Sequence, residues 1–415
     1  MNTDGFLGRT GLEKSEVGAL RAIFLQEYPT RKTIARDTRL SLVKVSSILS
    51  DLERRGLIGK EGKTRTSGGR PSHIYRLGSD IGYTLGLNVR PEEIRIVAVD
   101  GAKKLLFQRT LPLTLSPEPS THQNTIVEQL CAAVDEAAAS VPHPDRLLAI
   151  GLALPGMVDT RQGVWLLGLQ LTGITHIEIA GLLSRRYGVP VVAEDVARAL
   201  AFLELHVGEG RGLRHFVLLY LGLGMGTGVV VDRRLYRGFH GLAGEIGHIG
   251  HPQNSYRCSC GNVGCLETVV SPSGILRVIR DRLRDGVRSE LQRYGSPATE
   301  PLTLERVLAA AASGDRLALS TLAEIGGFIG DACAMLIKLF NPQALIVSGD
   351  VTMFTEFLRD PVERVISRDV LPEMLEDYTT IFSTYRPEHE AHGAALLAMF
   401  HLFEQLLNEP SSGTS

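Results

Sequence analysis

Residues 244–267 read GEIGH (244–248), nine further residues, then CSCGNVGCLE (258–267), which gathers His248, Cys258, Cys260 and Cys265 into one short segment. Three thiols and one imidazole make a complete tetrahedral zinc shell. Zinc takes soft, deprotonated sulfur and neutral nitrogen, and Gly261 and Gly264 let the backbone turn tightly enough for nearby thiols to converge. A closed four-ligand shell leaves no open position, so the expected zinc is structural and performs no chemistry. The chain has five cysteines. The other two, Cys131 and Cys333, lie in apolar helical patterns, and no disulfide is expected. Glu245 and Glu267 flank the knuckle, where a bound metal would fix their backbone.

The 415 residues around this segment suggest two or three domains, and 44% hydrophobic content suffices for proper cores. No apolar run reaches the roughly eighteen residues of a membrane span, and MNTDGFLGRT lacks a signal-peptide core, so a cytoplasmic protein is expected. The overall charge of -2 hides an asymmetry. Residues 1–80 carry 15 Lys and Arg against 9 Asp and Glu, and the remainder 29 against 37. A basic head on an acidic body points to a nucleic-acid-binding module.

Within residues 1–80 three helical patterns follow one another. Residues 16–28 place Val17, Leu20, Ile23 and Phe24 on one face, residues 30–38 turn Ile34 and Ala35 inward, and Ser41 caps a third helix. That helix buries Leu42, Val45, Ile48, Leu49 and Leu52 and leaves Val43, Lys44, Ser46, Ser47 and Ser50 elsewhere. The connection Arg39-Leu40-Ser41 has helix-turn-helix length. Residues 57–60, followed by EGKTRTSGGRPSHIYRL, read as two strands around a basic hairpin, the wing of a winged helix-turn-helix. Ser41, Val43, Lys44, Ser46 and Ser47 are the candidates for the major groove. Lys32, Lys60, Lys63 and Arg65 are candidates for phosphates, and Arg70 for a narrow minor groove, reached by the SGGRP arm.

Beyond residue 80, β-rich runs recur at 83–89, 94–100, 147–154, 189–193, 215–221, 228–232 and 344–348. Helical patterns at 125–141 and 177–187 lie between some of them, which argues for mixed α/β sheets. Glycine-containing turns follow strands at 154–159 and 221–228.

The knuckle, with ALPGMVD before it, AEDVARAL at 193–200, GLGMGTGVVVDRRLYRG at 222–238 and NPQALIVSGD at 341–350, resembles the ROK family of repressors, open reading frames and sugar kinases. The winged head makes it most similar to the branch of xylose-repressor and N-acetylglucosamine-repressor type. The resemblance covers residues 14 to 400 and implies a two-lobed actin-like ATPase fold with a sugar pocket between its lobes. Expected domains are 1–80, the winged head; 81–195, the N-terminal lobe, completed by a helix at about 386–408; and 196–385, the C-terminal lobe with the zinc site. Carried over residue by residue, the implied sugar contacts are Asp195, Glu245, His248 and Glu267, with Glu194 standing at the family's asparagine position.

Family kinases grip phosphate with Asp-x-Gly-Gly-Thr after the first strand. Here the corresponding positions hold Asn88, Arg90, Pro91 and Glu92, and Leu223 replaces a threonine in the second phosphate loop. Proline removes an amide donor, and the loss of the carboxylate removes an anchor for Mg²⁺. Asp195 is therefore expected to be a vestigial base in a protein that is not an enzyme. The resemblance implies a regulator that binds double-stranded operator DNA, most often a repressor. It would act as a homodimer or dimer of dimers, answering to a sugar or sugar-phosphate effector. The apolar helix at 321–339 is either an ordinary core helix or a candidate dimer contact. The alternatives are a bifunctional sugar kinase and a repressor controlled by a phosphotransferase-system protein.

Overall fold

Helix α1 (Lys14–Leu25) buries Val17, Leu20, Ile23 and Phe24, the stripe its 3.6-residue period sets on one side. Helix α2 (Arg31–Thr38) begins at a Thr30 cap and ends at Arg39, which takes φ +58°, a left-handed stop. Helix α3 (Leu42–Arg54) starts where the Ser41 side chain accepts the Lys44 N–H, and it turns Val45, Ile48, Leu49 and Leu52 inward. Strands β1 (Ile58–Lys63) and β2 (His73–Leu77) then pair antiparallel as a wing. The computed structural model describes residues 11–63, 72–116, 118–171, 173–294 and 300–408. Arg65 and Arg70 lie outside the described residues, as does the side chain of Lys63.

The chain divides into two units, one running to Gly212 and resuming at Pro387, the other Leu213–Arg386. The first unit continues through β3 (Tyr83–Arg90), β4 (Glu93–Asp100), β5 (Leu105–Pro112), α4 (His122–Ala139), β6 (Leu147–Leu154), β7 (Met157–Asp159), β8 (Val164–Leu167) and β9 (Thr175–Ile177). It goes on through α5 (Ile179–Tyr187), β10 (Val191–Asp195) and α6 (Val196–His206). Its main sheet has the order β10-β6-β3-β4-β5, with β6 parallel to both β3 and β10. Strands β3 and β6 are buried on both faces, as central strands covered on each side must be. Odd-numbered residues of β3 (Tyr83, Leu85, Leu87, Val89) join a core with Ile126, Leu130 and Val134 of α4. Even-numbered residues turn to the other face.

In the second unit lie β11 (Phe216–Leu221), β12 (Met225–Val231), β13 (Arg234–Tyr236), α7 (Glu267–Val270), α8 (Pro272–Arg284), α9 (Leu304–Ala312), α10 (Arg316–Phe340), β14 (Ala344–Ser348), α11 (Thr355–Asp369) and β15 (Thr379–Phe382). The sheet order is β13-β12-β11-β14-β15, with β11 and β14 parallel and fully buried. Gly326 and Gly330 of α10 make room for α11, since a Cβ at either would stand 2.6 Å from Cβ of Pro361 or Val365. Of the two readings of this helix, core or dimer contact, its burial fits the core: Leu322, Ile325, Ile329, Cys333 and Ile337 are at most 1% exposed. Its apolar character answers to its own unit.

Helix α12 (His389–Asn408) returns to the first unit and lies on the even-numbered face of β3. Gly86 of β3 and Gly151 of β6 are register partners, and a Cβ on either would stand 1.9 Å from a carbonyl oxygen of α12, at Ala391 and Ala394. This paired gap is what lets the helix sit directly on the sheet, where the Thr84 hydroxyl donates to Ala395 O at 2.9 Å. On its other side Gly393 meets Ala199 O of α6. The sequence boundary at residue 195 falls one helix short of the division at Gly212, because α6 runs on from β10 and packs against α12. Helix α12 also seats the winged head: the Phe24 and Phe403 rings are 5.9 Å apart, and Arg21 pairs with Glu404. Among the described residues no helix is long and apolar enough to cross a membrane.

Candidate functional site

The GEIGH segment owes its shape to two glycines. Gly244 has φ +108°, and a Cβ there would stand 2.4 Å from Thr227 O; one at Gly247 would stand 2.3 Å from Met225 O. Both gaps let a short 3-10 turn, Ile246–His248, press against β12. The cysteine segment folds into a knuckle by its own backbone: Cys258 N–H donates to Asn262 O, and Gly261 N–H to Cys258 O. Gly261 and Gly264 take φ +95° and +84°, the conformations expected of them. Leu266 N–H donates to Ile249 O and His251 N–H to Gly264 O, which binds the knuckle to the GEIGH turn.

These contacts bring the four expected ligands together, with all donor atoms within 4.8 Å of one another. Around a tetrahedral ion bound by sulfur at about 2.3 Å and nitrogen at about 2.0 Å, two sulfurs lie about 3.8 Å apart and a sulfur–nitrogen pair about 3.5 Å. Cys260 Sγ and Cys265 Sγ are 3.7 Å apart, and Cys258 Sγ is 3.6 Å from His248 Nδ1. The cluster can hold a metal ion. Burial pushes the Cys265 thiol up to about 12 and raises Cys258, so a cation is the partner that would let these sulfurs act as thiolates. With Nδ1 turned to the sulfurs, His248 Nε2 faces Glu245 Oε2 at 3.9 Å. Glu267 Oε1 lies 3.7 Å from Cys258 Sγ, and its Oε2 accepts the Met225 N–H at 3.3 Å. Glu245, His248 and Glu267 therefore converge beside the knuckle, each partly exposed.

In the first unit, Asp195 ends β10 and caps α6, its Oδ1 accepting the Arg198 N–H at 3.1 Å. Burial raises its carboxyl above the usual range; Arg198 opposes this and the neighbouring Glu194 adds to it. Glu194 is placed differently from a ligand-facing group. It is 1% exposed, and its Oε1 takes the Arg198 guanidinium at 2.7 Å and the Asp195 N–H at 3.1 Å. The i,i+4 spacing of Glu194 and Arg198 on the rim of a helix was the signal for this pair.

At the two turns that the resemblance aligns with phosphate motifs, the chain's own groups contact one another. At the β3–β4 turn, Arg90 and Arg95 both reach Glu390 of α12, at 3.3 and 3.2 Å, and both approach Glu93. Asn88 is buried, with Nδ2 donating to Ala153 O at 3.2 Å. At the β11–β12 turn, Gly222 N–H donates to Gly224 O, Leu223 N–H points to the Tyr220 hydroxyl at 3.4 Å, and Met225 N–H points to Glu267. Three amides of this turn thus have partners within the protein. Tyr220 and Glu390 were missed in the sequence because each acts through a contact that only the fold creates, and Arg198 was missed although its spacing from Glu194 was there to be read.

In the winged head, Lys32, Ser41, Val43, Lys44 and Ser47 are exposed and Ser46 is half-buried. Leu42, expected inward, is 49% exposed, because it occupies the first turn where the inward stripe has not yet begun. Lys60 donates to both oxygens of Glu53 at 2.7 Å, so its charge is already matched inside the head.

Compared with known proteins, residues 84–405 match the description "ROK family". The chain is 25% identical over 350 residues to the xylose repressor of Caldicellulosiruptor bescii, covering 84% of this chain and 86% of that one. Among solved structures it is similar to a ROK family transcriptional regulator described as a homologue of the Escherichia coli MLC protein, with TM-score 0.76 and 26% identity over 95% of this chain and 98% of the other. It is also similar to a ROK family glucokinase from Streptomyces griseus solved with glucose and AMPPNP, with TM-score 0.66 and 27% identity over 77% of this chain and 99% of that one.

Proposed function

The chain belongs to the ROK family, and we propose that it is a DNA-binding transcriptional regulator of sugar metabolism, a repressor released from its operator by a sugar or sugar derivative. What supports this reading is a winged helix-turn-helix joined to a ROK domain in which both turns at the positions of the family's phosphate motifs carry contacts among the chain's own groups. Arg90, Arg95 and Glu390 lock the first turn, and Tyr220 and Glu267 take amides of the second. Phosphoryl transfer depends almost entirely on positioning and charge stabilisation of the phosphate, so Asp195 without a nucleotide cradle is a vestigial base. The ROK domain then works as a sensor, without sugar kinase activity.

Residues 1–80 are the DNA-binding head, with Ser41, Val43, Lys44, Ser46 and Ser47 towards the major groove. Lys32, Lys63 and Arg65 are for phosphates and Arg70 is for the minor groove. Zinc is the metal the donor set favours, held by His248 Nδ1 and the thiolates of Cys258, Cys260 and Cys265. It would supply rigidity and positive charge, with all four positions taken by protein. Its role is to hold Glu245, His248 and Glu267 in place, where carboxylates accept hydrogen bonds from adjacent sugar hydroxyls. Asp195 is a further acceptor. The regulator is expected in the cytoplasm as a homodimer or dimer of dimers, since one head reads only a few base pairs.

A second reading is control by a protein of the phosphotransferase system, and the burial of Glu194 against Arg198 favours it, because the family's sugar-facing amide has no counterpart here. Operator release separates the two: with an operator selected from random duplexes, a sugar-controlled repressor lets go when the right hexose, pentose or amino sugar is added, and a partner-controlled one ignores all of them. Turnover of ATP with any of these sugars at an ordinary enzymatic rate would overturn the sensor reading itself.

A further inference from the structure

The exposed face of α3 carries Leu42, Val43, Ser46, Ser47 and Ser50. Leu42 is 49% and Val43 81% exposed, two branched apolar side chains side by side on the first turn of the helix. Behind them two of the three hydroxyls are already engaged: Ser46 donates to Leu42 O at 2.7 Å and Ser50 to Ser46 O at 2.9 Å, which leaves these two oxygens as acceptors only. The first turns of the face hold no Arg, Asn or Gln, the side chains that recognise guanine or adenine through two parallel hydrogen bonds, and Arg54, at the far end of the same stripe, is paired with Asp51. Lys44 stands at its edge, 3.9 Å from Glu13. Exposed Lys32 on the preceding helix and the basic excess of residues 1–80 suit the phosphates of duplex DNA.

What such a face can discriminate is a methyl group. In the major groove the C5-methyl of thymine is the one apolar feature among the base edges, and it distinguishes an A·T pair from its reverse and from G·C. We propose that Leu42 and Val43 read thymine C5-methyl groups, so that the operator preference of this chain rests chiefly on apolar contact at the first turn of α3. This rests on the DNA-binding function above. Pairing an exposed branched side chain with a methyl removes both from water, which gives each methyl about a fourfold effect on affinity.

The test uses the full chain. Duplexes are selected from a random pool, and each thymine of the selected half-site is then replaced singly by deoxyuridine, which deletes only the C5-methyl. The expected result is a loss of about fourfold at one or two positions for the wild type. The same replacements should be silent for Val43→Ala or Leu42→Ala, while Val43→Thr, which keeps one methyl, retains part of the effect. Thermal unfolding of each variant should match the wild type, given the exposure of both residues. Three outcomes overturn the proposal: a selected half-site without thymine, deoxyuridine silent throughout for the wild type, or equal losses in wild type and both alanine variants. Failure to enrich any duplex overturns the DNA-binding function as well, which tells the two failures apart.

Discussion

Replacing Gly151 by alanine tests whether the glycine pair under α12 is the condition for the first unit's packing. The added Cβ would stand 1.9 Å from Ala394 O and 2.5 Å from its carbonyl carbon, whereas ordinary contact begins at 3.4 Å. The obstacle is backbone, so no side chain can swing aside and the helix must retreat by about 1.5 Å. That retreat loosens Ala391, Ala394 and Ala395, each at most 1% exposed, together with the Thr84 hydroxyl bond to Ala395 O. Overpacking of this kind belongs at the upper end of its usual cost, about 3 kcal/mol. For a unit of this size the midpoint of thermal unfolding should fall by about 6–12 °C. Gly327→Ala is the control, since it sits inside α10 with nothing within 4 Å of a new Cβ. There the loss of backbone freedom in the unfolded chain should stabilise by about 0.5–1 kcal/mol. Denaturant titrations followed by circular dichroism give both numbers. A Gly151→Ala protein within about 1 kcal/mol of wild type would refute the claim that α12 needs the gap.

Two further outcomes are expected. Cys260→Ser should lower bound metal, measured by elemental analysis of the purified protein, and loosen the knuckle to proteolysis; full metal content with a serine there would remove Cys260 from the ligand set. His392, buried with Nε2 lacking a hydrogen-bond partner, has its pKa pushed down to about 4, by burial first and then by His389. Between about 6.5 and 4 the unfolded chain binds the extra proton, so stability should fall as pH drops through that window and level off below it, by about 3 kcal/mol at most. His392→Leu should flatten this part of the profile, and an unchanged slope would show that other groups set it.

The winged head was legible because its signals are local: the Ser41 cap, the apolar spacing on α1 and α3, and the two strands of the wing. The knuckle was legible for the same reason, since four ligands and two turn glycines lie within a short segment. The β3, β6, β11 and β14 strands stood out as apolar runs, whereas β5, with its half-exposed alternation, and the short β7-β8-β9 sheet did not. Contacts across long separations stayed hidden. Nothing near Arg90 announces Glu390, whereas the i,i+4 spacing of Glu194 and Arg198 was a local signal left unread. The helix at 321–339 left two readings open because an apolar stripe looks the same whether it meets a second copy or, as here, α11.

Arg21 meets Glu404 across 383 positions of sequence. During synthesis, α1 and the wing leave the ribosome early, and the surface on which they rest is completed only when α12 follows, at about 5–20 residues per second. The winged head therefore waits some tens of seconds for its seat to be completed, with only its contacts to earlier residues, Phe24 against His206 and Glu27 against Arg211 among them, to hold it. A chain broken off before α12 would keep the head but lose part of its anchorage, and would expose the bare trench between Gly86 and Gly151 to chaperones and proteases. Completeness of translation is thereby written into the architecture of the first unit.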